Sequence, residues 1–430
     1  MGLRHRLLKK FSTSFRASIT RLLHDRRVYL RLQFGSALGL GIGLLIAAAI
    51  ISGILGAAPA RLSDFLYQPP PSTGQVVIVA IDDASLKEIG AWPWSRATIA
   101  ALVNALTPAQ PRVVGLTLIL PESTSDDATL AAALARAPNV IQPVIGVEAT
   151  RNPPSDYLFP RFDFVLDPTP ALQTSTTRLG HAMITPDADG VVRHAWVAIE
   201  SAGRRYPAFG IAALQAAPNR APDTSRLPVD DAGRMKINFI SPSAQRVISA
   251  GDVLRGRANL ETLRDKIVLV GLRSAARPED FATPLLSNPR AYAVEIHASV
   301  IETILGAHFV VQQNRLTEIV MVFLLAILAG ATLPHFRLPT AFALTIIYFL
   351  LYLGYAFQMF NDGVLVQPLY PIVALFLAFL GAMTFRYFSQ ERRRESITRL
   401  FRRYVAPESV DRVTTDFDEG VLPLGGARRA

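Results

Sequence analysis

Four apolar stretches constrain this chain more than any other feature of its sequence. They run from about Leu32 to Ala58, from Leu316 to Leu333, from Leu338 to Phe360 and from Val364 to Phe385. A helix crosses the hydrocarbon core of a bilayer with ~20 predominantly apolar residues, so each stretch is long enough to span. Only 18% of the chain is charged, against ~25% in an average soluble protein. Pro334 to Pro339 and Asn361-Asp362-Gly363 separate the last three stretches. Those connections are too short for a domain, so the three are expected to form a compact bundle of transmembrane helices. Residues 61–315 contain no span and must supply any globular domain.

Charge gives the stretches a direction. Nine basic residues, from Arg4 and Arg6 to Arg27 and Arg31, precede the first span against Asp25 alone. A second cluster, with Arg386, Arg392, Arg393, Arg394 and Arg399, follows the fourth. Basic residues flanking apolar spans stay on the cytoplasmic side. With four crossings both termini are then inside, and residues 61–315 are outside. The net charge of +10 is thus assigned to the membrane surface. No nucleic-acid motif is present and no nucleic-acid partner is expected. A cleavable signal peptide is the rival reading of the first span, with Ala58-Pro59-Ala60 as a small-residue site. The long basic leader, residues 1–31, and an apolar run beyond the 7–15 residues of a signal core favour an uncleaved anchor. The expected location is the bacterial inner (cytoplasmic) membrane.

Gly35, Gly39 and Gly43 recur every fourth residue in the first span, followed by Ala47. On a helix they share one face, which lets another helix approach closely. That partner is either the first span of a second copy, giving a homodimer, or one of the other three spans. The chain has no cysteine, so disulfides, thiolate zinc sites and cysteine nucleophiles are excluded.

Within residues 61–315 the pattern is α/β. Val76 to Ile81 is a continuous β-branched run of the kind that fills a strand buried on both faces. Arg96 to Leu106 reads as a helix with Ser95 as its N-cap, and Val113 to Leu120 as a second strand. Asp126-Asp127 opens a helix to about Arg136, Val140 to Val147 is a third strand, Ile267 to Gly271 another, and Val294 to Leu305 a closing helix. Alternation of this kind implies right-handed crossovers and a mostly parallel sheet. Asp187-Ala188-Asp189-Gly190 reads as a tight turn, followed by a strand from Val191 to Ile199. Pro153-Pro154 and Ala216 to Arg226 read as loops.

Val77 to Leu86, Gly90 to Arg96, Asp126 to Ala131, Leu179-Gly180-His181, Asp187 to Arg193, Asp265 to Gly271 and Glu295-Ile296-His297-Ala298 together resemble CHASE type 2 domains. These are extracellular sensory domains associated with cyclases and histidine kinases. The resemblance covers most of residues 61–310, and a sensor followed by three spans is also the family's layout. Two departures occur. Thr117 stands where the family's second strand carries an acidic residue, and Tyr292-Ala293 replaces a Pro-Gly pair. The first removes a carboxylate from any ligand site.

The C-terminal edge of an open α/β sheet is where such folds bind ligands. Asp82 ends the first strand, and Trp92, Trp94 and Arg96 follow within reach of that edge. An aromatic wall with an arginine suits an unidentified extracytoplasmic ligand that is anionic or sugar-like. The alternative is that the tryptophans plug the edge of the core and Asp82 caps a turn. Asp187 and Asp189 have the spacing of a calcium loop but lack its terminal glutamate, so a hairpin turn is preferred. No catalytic constellation, metal site or cofactor is expected.

After the fourth span, Ile397, Leu400, Phe401 and Tyr404 fall on one helix face with basic residues around it. A partner helix, as in a signalling helix, or anionic headgroups would cover that face. Phe401 to Val410 resembles the linker before class III adenylate/guanylate cyclase domains, and Leu424 to Arg429 the approach to their first catalytic strand. The catalytic aspartates that this resemblance calls for do not occur in residues 386–430, and no enzyme activity is expected of these 430 residues themselves. The function expected is transmembrane signal reception with a class III cyclase output. A kinase output, or a stand-alone regulatory or structural membrane protein, is the alternative.

Overall fold

The computed structural model describes residues 26–149, 158–174, 176–217, 223–276, 280–286 and 289–404. Most of the basic leader, the Pro153-Pro154 loop, much of the 216–226 loop and the cyclase-like stretch 405–430 lie outside the described residues. The chain divides into two units. One comprises residues up to Ile54, Asn314–Tyr355 and the chain from Pro368; the other comprises Leu55–Gln313 and Ala356–Gln367.

The second unit is the α/β domain. Its strands are β1 (Val76–Asp82), β2 (Val113–Leu116), β3 (Val140–Ala149), β4 (Arg161–Leu166), β5 (Thr177–His181), β6 (His194–Trp196), β7 (Ala198–Ser201), β8 (Arg204–Pro207), β9 (Arg234–Lys236), β10 (Arg246–Ser249) and β11 (Ile267–Arg273). Six of them run parallel in the order β10-β1-β11-β2-β3-β5. The far half of β3 turns to an antiparallel pairing with β4, and the sheet continues through β7 to the β7–β8 hairpin. The helices are α1 (Ala58–Asp64), α2 (Asp83–Ile89), α3 (Arg96–Leu106), α4 (Asp127–Arg136), α5 (Phe209–Ala216), α6 (Ala250–Leu254) and α7 (Ala293–Leu305).

β1 shows why its run has no polar residue before Asp82. Successive side chains of a strand point to opposite faces. Val77, Val79 and Ile81 pack with Ile99, Leu102 and Leu106 of α3 and Leu130 and Leu134 of α4. Val76, Ile78 and Ala80 pack with Phe209 and Ile211 of α5 and Ile296 and Ile301 of α7. Both faces are covered, so alternation would bury polar groups. Each valine or isoleucine so buried contributes about 1.5–3 kcal/mol.

Two sequence expectations need revision. The second strand stops at Leu116 rather than Leu120, because its ladder with β11 ends at the Leu116–Val270 pair; Leu118 and Leu120 still pack into the core. The strand expected over 191–199 is broken at Val197. Its N–H donates to the Gly233 carbonyl and its own carbonyl accepts from Ala208 N–H. β6 therefore pairs with β9 in a separate small sheet while β7 joins the main one.

Among the described residues four helices are long and apolar enough to cross a membrane, with spans at Tyr29–Ser52, Arg315–His335, Leu338–Asn361 and Leu369–Ser389. The first helix begins at Arg26 and ends at Ser52, short of Ala58. The fourth starts at Leu369, because Val364–Leu365 are drawn into a short parallel pairing with Val311–Gln312. It continues unbroken to Tyr404, so the backbone of Ile397, Leu400, Phe401 and Tyr404 belongs to the same helix as the span. Gly35, Gly39 and Gly43 face the second candidate span of their own chain. A Cβ on Gly39 would lie 2.6 Å from the Ala326 carbonyl oxygen, and one on Gly43 2.5 Å from the Phe323 ring. Gly330 answers them from the other helix, 3.0 Å from Gly39 N by the same construction. These are the contacts that the intramolecular alternative calls for.

Candidate ligand-binding site

Trp92, Trp94 and Arg96 come together at the C-terminal edge of the sheet. The loop from α2 to α3 carries the two tryptophans, Arg96 opens α3, and the loop leaving β2 supplies the facing wall with Ile119, Leu120, Glu122, Thr124 and Asp126. The cavity between them measures about 410 Å³. Ser95 fixes the entry to α3, its hydroxyl accepting from Thr98 N–H at 3.2 Å. Trp94 is buried, and its indole N–H donates to the Gly90 carbonyl at 2.8 Å. Trp92 is half-buried, with its ring centroid 6.2 Å from that of Trp94 and the planes at 60°. The two rings form a corner.

Arg96 has a different occupation from the one its sequence position suggests. Its Nε donates to Asp127 Oδ1 at 3.2 Å and its Nη2 to the Glu122 carbonyl at 3.0 Å. Asp127 also accepts from Thr124 N–H at 3.1 Å and Thr124 Oγ1 at 3.0 Å. Burial opposes ionisation of Asp127, but the Thr124 and Arg96 hydrogen bonds outweigh it and hold the carboxyl below its ordinary pKa. Arg96 therefore ties the β2–α4 loop to α3, and its charge is neutralised inside the protein. Asp82 does not line the cavity. Its carboxylate caps α2 at Ser85 N–H (2.8 Å) and accepts from Ser85 Oγ at 2.5 Å and Ser249 Oγ at 3.0 Å. That is the turn-capping alternative for Asp82, extended to bind β1 to the end of β10. Glu122 and Asp126 were not legible as wall residues; an acidic loop after a strand was the available signal.

Asp83 reaches across the same edge to the Ser274 hydroxyl after β11, and that bond holds its carboxyl below the ordinary range. Thr117 donates to the Val270 carbonyl at 3.0 Å, so the residue replacing the family's carboxylate is spent on the sheet.

A second polar cluster lies around Arg193. Its guanidinium binds Asp64 of α1 at 2.6 Å, Asp189 at 2.9 Å and Asp187 at 3.2 Å. Arg61 adds a bond to Asp189 at 3.0 Å and His194 one to Asp187 at 3.2 Å. The Arg193 bonds hold Asp189 far below the usual carboxylate range. Gly190, at φ +83, closes the 187–190 turn with a bond from its N–H to the Asp187 carbonyl at 2.8 Å. Asp187 and Asp189 are thus turn residues bound to arginine. Among the described residues no group of three or more His, Cys, Asp or Glu side chains could hold a metal. His181 and His297 share a small buried pocket between β5 and α7. Burial pushes His181 down to about 3 and His297 to about 4.

The family model of the CHASE2 domain matches residues 41–332. The chain belongs to the CHASE2 domain family. Searches among curated proteins and among solved structures return no match. The match spans the whole α/β domain and extends into both apolar helices that flank it, beyond the 61–310 segment legible in the sequence. A CHASE2 sensor domain in a chain with four helices of spanning length is consistent with a membrane protein, and it points to extracellular sensing and signalling.

Proposed function

We propose that this CHASE2 chain is a transmembrane receptor. Its α/β domain stands outside the cytoplasmic membrane and binds a small ligand at the sheet's C-terminal edge, while the fourth helix carries the response inward to a class III cyclase output. The CHASE2 match over a domain interposed between helices of spanning length is the observation that supports this reading most. The basic residues before the first span and after the fourth support the orientation. The 36-residue helix Leu369–Tyr404 supports the route, because a continuous helix transmits rotation or translation without a flexible joint. The resemblance of Phe401 to Val410 to a cyclase linker favours that output over a kinase. The receptor works as a homodimer, joined along the Ile397, Leu400, Phe401 and Tyr404 face.

Cysteine crosslinking tests this reading against a clean background, since the chain has no cysteine. Single cysteines at positions 396 to 404 are oxidised in native membranes. Crosslinks between copies should peak at 397, 400, 401 and 404 and fall at 398 and 402. An even profile, or no crosslinked dimer at any position, overturns the dimeric signalling helix.

A further inference from the structure

The first and fourth candidate spans enclose an apolar groove of about 640 Å³. Its floor is set where the two helices touch. The Phe34 and Phe385 rings stack with centroids 3.9 Å apart. Gly381 has no side chain to hold Leu38 off, and a Cβ there would lie 2.7 Å from Leu38 Cδ2. Leu45, Leu380 and Phe388 line the groove and are exposed, so it is open along its length. Thr384 and Ser389 add hydroxyls to the wall toward the end of the fourth span.

That end of the groove is cationic. By the 3.6-residue repeat, Arg27 and Arg31 continue the helix face of Phe34 and Leu38, and Arg392 continues that of Phe385, Phe388 and Ser389. Residues 26–31 hold three arginines and no acid, and residues 386–394 hold four arginines against Glu391 alone. The excess of positive charge persists whatever ion pairs form within these segments.

A long apolar groove with a cationic end matches a molecule that joins an apolar chain to an anionic head. A second copy of this chain matches it less well, because it would bring the same arginines to the same depth and like charges repel. The face proposed above for the homodimer, Ile397 to Tyr404, also lies roughly half a turn round the fourth helix from the groove. We propose that this groove binds an anionic phospholipid, with an acyl chain along the Leu38–Gly381 contact and the phosphate at the cationic end. Basic pockets between membrane helices bind acidic headgroups at the cytoplasmic face, and the orientation proposed above puts these arginines there. The proposal needs the helices to span and is independent of the cyclase output.

Spin-labelled lipids test it. The full chain is reconstituted in phosphatidylcholine vesicles doped with spin-labelled phosphatidylglycerol or spin-labelled phosphatidylcholine. The motionally restricted fraction is then titrated by electron paramagnetic resonance. The acidic lipid should saturate a site that the zwitterionic lipid does not. Arg31→Gln/Arg392→Gln should weaken that association about fivefold for each arginine removed. Thr384→Trp, which fills the groove from its exposed wall, should abolish the selectivity. Arg26→Gln/Arg393→Gln removes the same charge from other helix faces and should leave the association within about twofold of wild type. Each variant is compared with wild type in helix content by far-ultraviolet circular dichroism. Equal association of the two lipids, equal loss in the two arginine pairs, or undiminished selectivity in a folded Thr384→Trp overturns the proposal. Crosslinking of Leu380→Cys between copies, or lipid association that rises when residues 1–25 are deleted, seats protein in the groove and overturns it as well.

Discussion

Removing the Arg193 guanidinium should be among the most damaging single changes in the α/β domain. Its side chain is 2% exposed, and the carboxylates around it, Asp64, Asp187 and Asp189, are 14%, 19% and 3% exposed. Asp64 lies on α1 and the other two in the 187–190 turn, so one side chain joins segments 129 residues apart. In Arg193→Leu the transfer of leucine into the core is favourable, but three acids lose their shared cation. Asp189 would keep Arg61, which is 63% exposed and therefore weakly bound. Breaking a buried pair from one side costs about 3–5 kcal/mol. For a domain of this size that lowers Tm by roughly 6–20 °C, at ~2–4 °C per kcal/mol. Thermal unfolding of the purified chain, followed by near-ultraviolet circular dichroism, measures it. Asp187 and Asp189 have depressed folded pKa values, so their contribution is present above the unfolded carboxylate pKa of ~3.9. It is lost as pH falls through the folded values, and the Arg193→Leu penalty should shrink in acid. A Tm within about 2 °C of wild type at pH 7 would refute the reasoning.

Gly39→Ile should destabilise the helical unit even in dilute detergent that separates copies, by about 1–3 kcal/mol, because its Cβ would meet the Ala326 backbone; loss confined to contacts between copies would return the glycines to the dimer reading. Arg96→Ala and Asp127→Ala should each lower Tm, since each strands a buried charge, whereas Arg96→Met/Asp127→Leu should recover most of the loss; additive losses would show that the pair is not coupled. Stability of the α/β domain should fall as pH drops below ~6.5, since the unfolded chain takes up protons that buried His181 and His297 refuse until about 3 and 4. The slope approaches ~1.4 kcal/mol per pH unit for each histidine, and His297→Phe should remove one share of it; an unchanged slope would contradict the assignment.

Local grammar was legible in the sequence, and pairing over distance was not. The Val76–Ile81 run, the Ser95 cap and the Asp189-Gly190 turn each follow from neighbours within a few residues, and the structure has all three. β4, β7 and β8 are short, carry Arg161, Asp163, Arg204 and Arg205, and lack a strong period. They are strands because β3 offers β4 an edge, β4 offers one to β7, and β7 to β8. Arg96 illustrates the limit at the candidate site. Its position near a sheet edge suggested an anion ligand, but its partner Asp127 lies 31 residues away across a strand. Arg193 and Asp64 are farther apart still. The glycine stripe announced a close helix approach, while which helix approaches depends on Ala326 and Gly330, almost 300 residues later.

The side of the membrane on which the α/β domain stands tests the central claim most directly. Single cysteines in place of Asp231, in the domain, and Arg337, in the loop after the second candidate span, can be probed in intact cells with a membrane-impermeant maleimide. The receptor reading predicts that Asp231→Cys is labelled in intact cells and that Arg337→Cys is labelled only after permeabilisation. Labelling of Arg337→Cys in intact cells, with Asp231→Cys protected, would place the sensor domain in the cytoplasm and contradict the reading.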